Sequence, residues 1–107
     1  MAKYLIKASY TADGLRGVMA AGGTSRVKAL ERAVGGVGGT LESFHFAFGA
    51  DDVYLIVDLP DHAAAIALTA AVLSSGAISR YETVVLLEPS EVDSATKVSI
   101  DYKPPGS

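Results

Sequence analysis

The chain has 107 residues, half of them hydrophobic, and a formal net charge of −3 at pH 7. This length predicts one domain with its own core, and the mild negative charge argues against nucleic-acid or anionic-membrane partners, which usually require a basic surface. The absence of cysteine excludes a disulfide framework, a thiolate metal site and a catalytic thiol.

The first part of the chain predicts a strand followed by helical segments. Residues 4–10 are short and apolar-rich and end at a turn, as in a strand. Residues 15–21 can form a short helical turn before Gly22-Gly23 interrupts it. A longer helix is then predicted, with Thr24 or Ser25 as its N-cap. Its buried stripe has helical spacing and consists of Val27, Leu30, Val34 and Val37.

The middle of the chain predicts a β-hairpin. Residues 40–48 alternate, with one face made of Thr40, Glu42, Phe44, Phe46 and Phe48. His45 lies on the opposite face. The turn of residues 49–52 leads into the apolar strand of residues 53–59.

The last part of the chain predicts a second strand–helix–strand unit and an extension. Asp61 is the expected N-cap of an alanine-rich helix over residues 63–73. A long strand follows over residues 78–88. Residues 90–97 predict a short helix, and residues 98–102 alternate as a strand does.

This order of elements predicts an α+β fold of the ferredoxin-like βαββαβ type. Right-handed crossovers give a four-stranded antiparallel sheet with two helices on one face. The other face stays uncovered, although residues 4–6 and 53–57 carry apolar side chains on both sides. An apolar face of this kind must bury itself. We therefore expect a homodimer that packs sheet to sheet and encloses a barrel-like space.

Several segments together resemble one protein family. They are Tyr4–Thr11, Gly39, Phe44–Val53 and Asp58–Asp61. The pattern covers residues 3–90 and resembles the GYD domain family, which is named for a Gly, a Tyr and an Asp. Gly49 and Asp52 match two of these positions, and Asp51 stands in place of the signature tyrosine.

The resemblance implies a ferredoxin-like subunit in a dimeric α+β barrel, without an established activity. Related barrels include cofactor-independent monooxygenases, haem-degrading enzymes and small sensors, and the fold does not choose among them. We expect residues 1–90 to form the GYD-like domain. Residues 91–107 are expected to form a C-terminal extension with a short helix and an extended arm.

Four residues are the predicted ligand-binding set: Lys7, His45, Tyr54 and Asp58. His45 is the candidate catalytic residue because a neutral imidazole can bind a ligand or move a proton; its structural alternative is a hydrogen-bonded interface histidine. Lys7 and Asp58 lie on adjacent strands and are expected to pair, either as a structural ion pair or as a polar floor for a ligand. Tyr54 is either a pocket wall or a core residue.

The sequence predicts no metal site and no cofactor. His45 and His62 lie 17 positions apart on different element types, without metal-ligand spacing. His62 is expected to be solvated at a helix start.

Three functions stay open at this point, and with them the question of whether the chain is an enzyme. The first is a cytoplasmic homodimer that binds a small, mostly apolar ligand between its sheets. The second is a cofactor-independent monooxygenase or isomerase with His45 as general base. The third is a purely structural oligomerisation module that clamps a neighbouring subunit with residues 98–106. The cytoplasmic expectation follows from the lack of a targeting or membrane segment in the sequence.

Overall fold

The structure, a computed structural model, describes residues 2–107. Its elements in chain order are β1 (Ala2–Tyr10), α1 (Ala12–Ala21), α2 (Gly23–Gly36), β2 (Thr40–Phe46), β3 (Val53–Leu59), α3 (His62–Ser74), β4 (Ile78–Leu86) and α4 (Pro89–Ala95). The four strands form one antiparallel sheet in the order β2-β3-β1-β4. This confirms the predicted α+β class and the ferredoxin-like order.

One face of the sheet carries the hydrophobic core. The side chains alternate between buried and half-buried over residues 3–9 of β1 and along the whole of β3. Burying the apolar half of each strand under α2 and α3 removes it from water, which is the main favourable term in folding. The core is formed by Tyr4, Ile6, Ala8, Leu30, Val34, Val53, Leu55, Val57, Leu59, Ala64, Leu68 and Ile78.

Strand β2 contains a bulge that changes which residues share a face. Leu41 lies opposite Val57 and Ser43 opposite Ile56, so two residues of β3 accommodate three of β2. A bulge of this kind shifts the alternation by one position. The prediction that Thr40 and Glu42 share the face of the phenylalanines is therefore wrong. Thr40 lies opposite Asp58, and both side chains lie on the face of His45.

The ends of the helices correct the sequence-based prediction in two places. The predicted turn of residues 15–21 is the ten-residue helix α1, which begins at Ala12 because the Thr11 hydroxyl accepts a hydrogen bond from the Gly14 amide at 3.0 Å. Helix α2 begins at Gly23, and its N-cap is Gly22 at φ +90°; Thr24 and Ser25 therefore lie inside the helix. A glycine tolerates this positive φ without strain.

Asp61 is the N-cap of α3, as predicted. Its carboxylate Oδ1 accepts a hydrogen bond from the Ala64 amide at 2.9 Å. This bond satisfies one of the amides that a helix start leaves without a partner. Asp61 thus fixes where α3 begins, directly after β3.

The chain beyond β4 extends away from the body. The alternating residues 98–102 pair with no strand in the described chain, and residues 87–107 are all exposed. The Cα radius of gyration is 17.2 Å, whereas a compact domain of this length has about 13 Å. We call residues 96–107 the C-terminal arm. Within residues 2–107, no helix is long and apolar enough to cross a membrane.

Candidate functional site

The face of the sheet opposite α2 and α3, which we call the open face, carries cross-strand rows of side chains. The central row consists of Ile56, Leu5 and Val84, which lie side by side on β3, β1 and β4. All three are half-buried. Directly opposed residues in antiparallel strands have neighbouring side chains, so these three form a continuous apolar strip across the middle of the face.

A polar row lies two residues further along the strands, at roughly 7 Å from the apolar row. It contains His45, Tyr54, Lys7 and Glu82 in that order across the sheet. The Lys7 Nζ lies 2.6 Å from the Glu82 carboxylate. This hydrogen bond and the negative charge of Glu82 raise the pKa of Lys7. Lys7 is therefore a charged group that already has a partner.

The predicted pairing of Lys7 with Asp58 is wrong. In the antiparallel register Lys7 lies opposite Tyr54, and Asp58 lies opposite Lys3, four residues away along β1. Asp58 forms an ion pair with Lys3 at 3.3 Å, and Lys3 also contacts the Glu42 carboxylate. The hydrogen bond to Glu42, assisted by Asp58, raises the pKa of Lys3. This second charged row lies on the other side of the apolar strip.

His45 and Tyr54 are the two predicted ligand-binding residues that lie outside the ion pairs of the open face. They lie directly opposite each other on β2 and β3. Their side chains make no hydrogen bond within residues 2–107. An imidazole beside a phenol can accept and donate hydrogen bonds to the same ligand, and it can move a proton. All four predicted ligand-binding residues thus share one face, and two of them, Lys7 and Asp58, are held in ion pairs.

The core between the sheet and the helices has little room for a ligand. A cavity of about 20 Å³ lies between the sheet and the helices, beside Tyr10, Arg26 and Tyr81. This is enough for about one water molecule. Burial raises the pKa of both tyrosines, so their hydroxyls stay protonated in the packed interior. This cavity is part of the core and does not compete with the open face as a binding site.

His62 has a partner that the sequence did not indicate. Its Nδ1 lies 2.7 Å from the hydroxyl of Tyr4, 58 positions away in the chain, and Tyr4 is only 1% exposed. The imidazole itself is exposed, as predicted. His62 therefore satisfies a buried hydroxyl from the surface. No group of three or more His, Asp or Glu residues in the described part of the chain lies close enough to hold a metal ion.

A family model describes most of this chain. The model of the GYD domain matches residues 4–96, from the start of β1 into the C-terminal residues after α4. The chain belongs to the GYD domain family. Neither the curated proteins nor the solved structures contain a match to it. Membership in the family is thus established by the domain model, and it agrees with the resemblance found in the sequence.

The GYD domain holds Asp51 in a buried position, paired through one carboxylate oxygen. Asp51 is 7% exposed, and its Oδ1 accepts hydrogen bonds from Arg80 Nε at 3.0 Å, Arg80 Nη2 at 2.8 Å and Ser9 Oγ at 3.1 Å. The bonds from Arg80 lower the pKa of Asp51. The carboxylate thereby ties the β2–β3 turn to β1 and β4. This contact stabilises one end of the open face.

Proposed function

We propose that this GYD domain functions as a homodimer that packs sheet to sheet and binds a small, mostly apolar ligand between the two open faces. The observation that carries the proposal is the apolar strip of Leu5, Ile56 and Val84 at the centre of the open face. A strip of this kind on the surface of a soluble domain usually marks an interface or a binding site.

The charges around the strip are compatible with burial in an interface. Lys7 is paired with Glu82, and Lys3 with Asp58 and Glu42. When such charges are buried in an interface, the ion pair within each subunit offsets part of the cost of removing the charges from water. A chain of 107 residues also buries a smaller share of its surface than a larger domain does, so a second copy adds apolar burial that one copy lacks.

The ligand chemistry follows from the groups without a partner. Two packed sheets lie about 10 Å apart, which leaves room for a flat molecule where the side chains are short. The apolar strip would contact its body. His45 and Tyr54 would meet one polar group, such as a carbonyl or hydroxyl, while Lys7 and Asp58 would frame the site through their existing ion pairs.

Native mass spectrometry of freshly purified protein tests this proposal. We expect a dimer that retains a small molecule or binds an apolar aromatic probe such as 1,4-naphthoquinone. His45→Ala and Tyr54→Phe should each weaken binding up to about tenfold, because each removes one hydrogen bond. Ile66→Ser, which changes an exposed residue of α3, should leave binding unchanged. A dimer that neither retains nor binds any member of a broad library would refute the proposal.

A proton-transfer enzyme is the second candidate, because His45 and Tyr54 are direct cross-strand neighbours. His45 would act as general base and Tyr54 as proton donor toward an aromatic or quinol-like substrate. His45 would take a hydroxyl proton from 1,4-dihydroxynaphthalene, and dissolved O2 would take up two electrons and two protons, giving 1,4-naphthoquinone and hydrogen peroxide. We expect protein-dependent oxygen uptake with this substrate that His45→Ala removes without dissociating the dimer. If His45→Ala instead dissociates the dimer, His45 has a structural role at the interface.

A further inference from the structure

The C-terminal arm presents three large apolar side chains that lie outside the hydrophobic core of their own chain. Val98, Ile100 and Tyr102 alternate along it and are 63%, 75% and 69% exposed. The hydrogen bonds that the described residues give the arm stay within it and α4. Alternating apolar residues are the pattern of a strand with one buried face. The arm therefore has the sequence of a strand but no partner strand in this chain.

A groove on the body has the complementary character. It lies between α1 and the β2–β3 turn and has a volume of about 540 Å³. Its exposed apolar residues are Leu15, Met19, Phe46 and Phe48, of which Phe48 is fully exposed. Apart from the arm, this is the densest group of exposed large apolar residues among residues 2–107. We call it the hairpin groove.

The hairpin groove adjoins the edge of the sheet. Strand β2 is an edge strand, so its outer row of amides and carbonyls has no strand beside it. Its helix-facing side chains are also poorly covered. Leu41 and Phe44 are half-buried and Phe46 is exposed, whereas the helix-facing residues of β3 are all buried. An edge with an uncovered apolar side is a template for an added strand.

We propose that residues Val98–Tyr102 of one copy add as a strand to the outer edge of β2 in a second copy, with their apolar side chains in the hairpin groove. The backbone of the arm pairs with β2, and Val98, Ile100 and Tyr102 cover Phe46 and the residues of α1. Because Asp101 lies between the flanking Lys97 and Lys103, and Asp52 of the groove already accepts a hydrogen bond from the Tyr10 amide, apolar burial and backbone pairing hold the arm in place.

The partner is a second copy because of where the arm leaves the body. The arm follows β4, which is at the opposite edge of the sheet from β2. It extends outward, and the molecule measures 57 Å along its longest axis and 33 Å along the next. Docking into its own groove would require the arm to reverse direction and cross the sheet. Exchange between copies satisfies both surfaces without such a reversal.

This interface is separate from the sheet-to-sheet contact of the proposed function, and either can exist without the other. Two full-length variants isolate it. The arm variant carries Val98→Ser, Ile100→Ser and Tyr102→Ser and keeps an intact groove. The groove variant carries Met19→Lys and Phe48→Lys and keeps an intact arm. All five residues are exposed, so neither variant removes a core contact. The matched control is Ile66→Lys, which adds a charge at an exposed site on α3.

Hydrogen-exchange mass spectrometry reports the added strand directly. We expect the amides of residues 98–102 to exchange at least about tenfold more slowly in the wild type and in Ile66→Lys than in the groove variant. When the groove variant is mixed with an excess of the arm variant, its own arm should regain this protection, because the only intact grooves belong to the other molecule. The two arms differ in mass and are resolved separately.

Three results would overturn the proposal. The first is exchange of the wild-type arm at the rate of unstructured chain. The second is equal protection in the wild type and the groove variant, which would place the arm elsewhere. The third is protection that the groove variant loses but does not regain on mixing, which would mean that the arm docks into the groove of its own chain.

Discussion

At the scale of single residues, the side chains that matter most are placed by contacts distant in sequence. Tyr4 lies in the core, and its hydroxyl is satisfied only because His62 at the start of α3 reaches it at 2.7 Å. Asp51 is buried because Arg80 and Ser9 approach it from two other strands. A sequence pattern reports periodicity within one element and does not report such contacts, so neither was predicted.

The Tyr4–His62 contact predicts an asymmetry between two substitutions. His62→Ala leaves the buried Tyr4 hydroxyl without a partner and should lower the free energy of unfolding by about 1–3 kcal/mol. Tyr4→Phe should cost less, because the imidazole is exposed and can bind water instead. Urea unfolding of both variants measures the difference. Equal costs, or a neutral His62→Ala, would mean that the hydrogen bond does not satisfy a buried group.

The Asp51–Arg80 ion pair predicts a pH-dependent contribution to stability. Arg80 lowers the pKa of Asp51 in the folded state. The stabilisation is therefore fully present above the ordinary aspartate pKa of about 3.9 and is lost as the pH falls through the lower folded-state pKa.

Thermal unfolding of Asp51→Asn against pH measures this contribution. The variant should unfold a few degrees below the wild type at pH 7, and the two midpoints should converge as the pH falls below the ordinary aspartate pKa. Asp13→Asn, which removes an exposed pair with Arg16, is the control and should change the midpoint little. A difference that is constant with pH would show that Asp51 acts through packing and not through its charge.

At the scale of elements, the sequence predicted most of the fold because each element carries its own pattern. The stripe of α2, the Asp61 cap and the hairpin of β2 and β3 follow from local periodicity and capping. The errors arose where another part of the chain decides. The β1–β3 register separates Lys7 from Asp58, and a bulge in β2 shifts Thr40 to the other face.

The candidate site was likewise predictable from the sequence only in part. The common face of Lys7, His45, Tyr54 and Asp58 follows from alternation along strands, and the structure places all four there. Which of them remain available depends on partners on other strands. Lys7 is paired by Glu82 of β4 and Asp58 by Lys3 of β1. No pattern within β1 or β3 contains that information.

At the C-terminal end of α2, one glycine within the helix and one after it predict opposite effects of an alanine substitution on stability. A Cβ at Gly39 would lie 2.4 Å from the Asp58 carbonyl oxygen and 2.7 Å from Leu59 Cδ2. Gly39→Ala should therefore destabilise the fold by about 1–3 kcal/mol. A Cβ at Gly35, inside the last turn of α2, would meet nothing within 4 Å. Gly35→Ala should stabilise the fold by about 0.5–1 kcal/mol.

Chemical denaturation of the two alanine variants in parallel tests this pair. Both changes add one methyl group near the same helix end, so each is the control for the other. If Gly39→Ala were neutral, the close approach of α2 to β3 at this point would not be a packing constraint.

At the scale of the whole molecule, the chain leaves two surfaces that need a partner. The open face carries an apolar strip between two rows of paired charges, and the C-terminal arm carries three exposed apolar residues. The open face arises from the βαββαβ topology, which covers one face of the sheet and leaves two edges, and the arm follows its last strand. We therefore propose that this GYD domain functions as an assembly of copies, with the ligand site between the two open faces.

The molar mass of two variants in light scattering tests the sheet-to-sheet dimer most directly. In the arm variant, where only the sheet contact remains, we expect about 22 kDa, twice the 11.0 kDa of one chain. Adding Leu5→Lys at the centre of the apolar strip should give the 11.0 kDa monomer, because two lysines would meet across the interface. Adding Ile66→Lys should leave the dimer intact. An arm variant that is already monomeric, or a dimer that tolerates Leu5→Lys, would contradict the proposal.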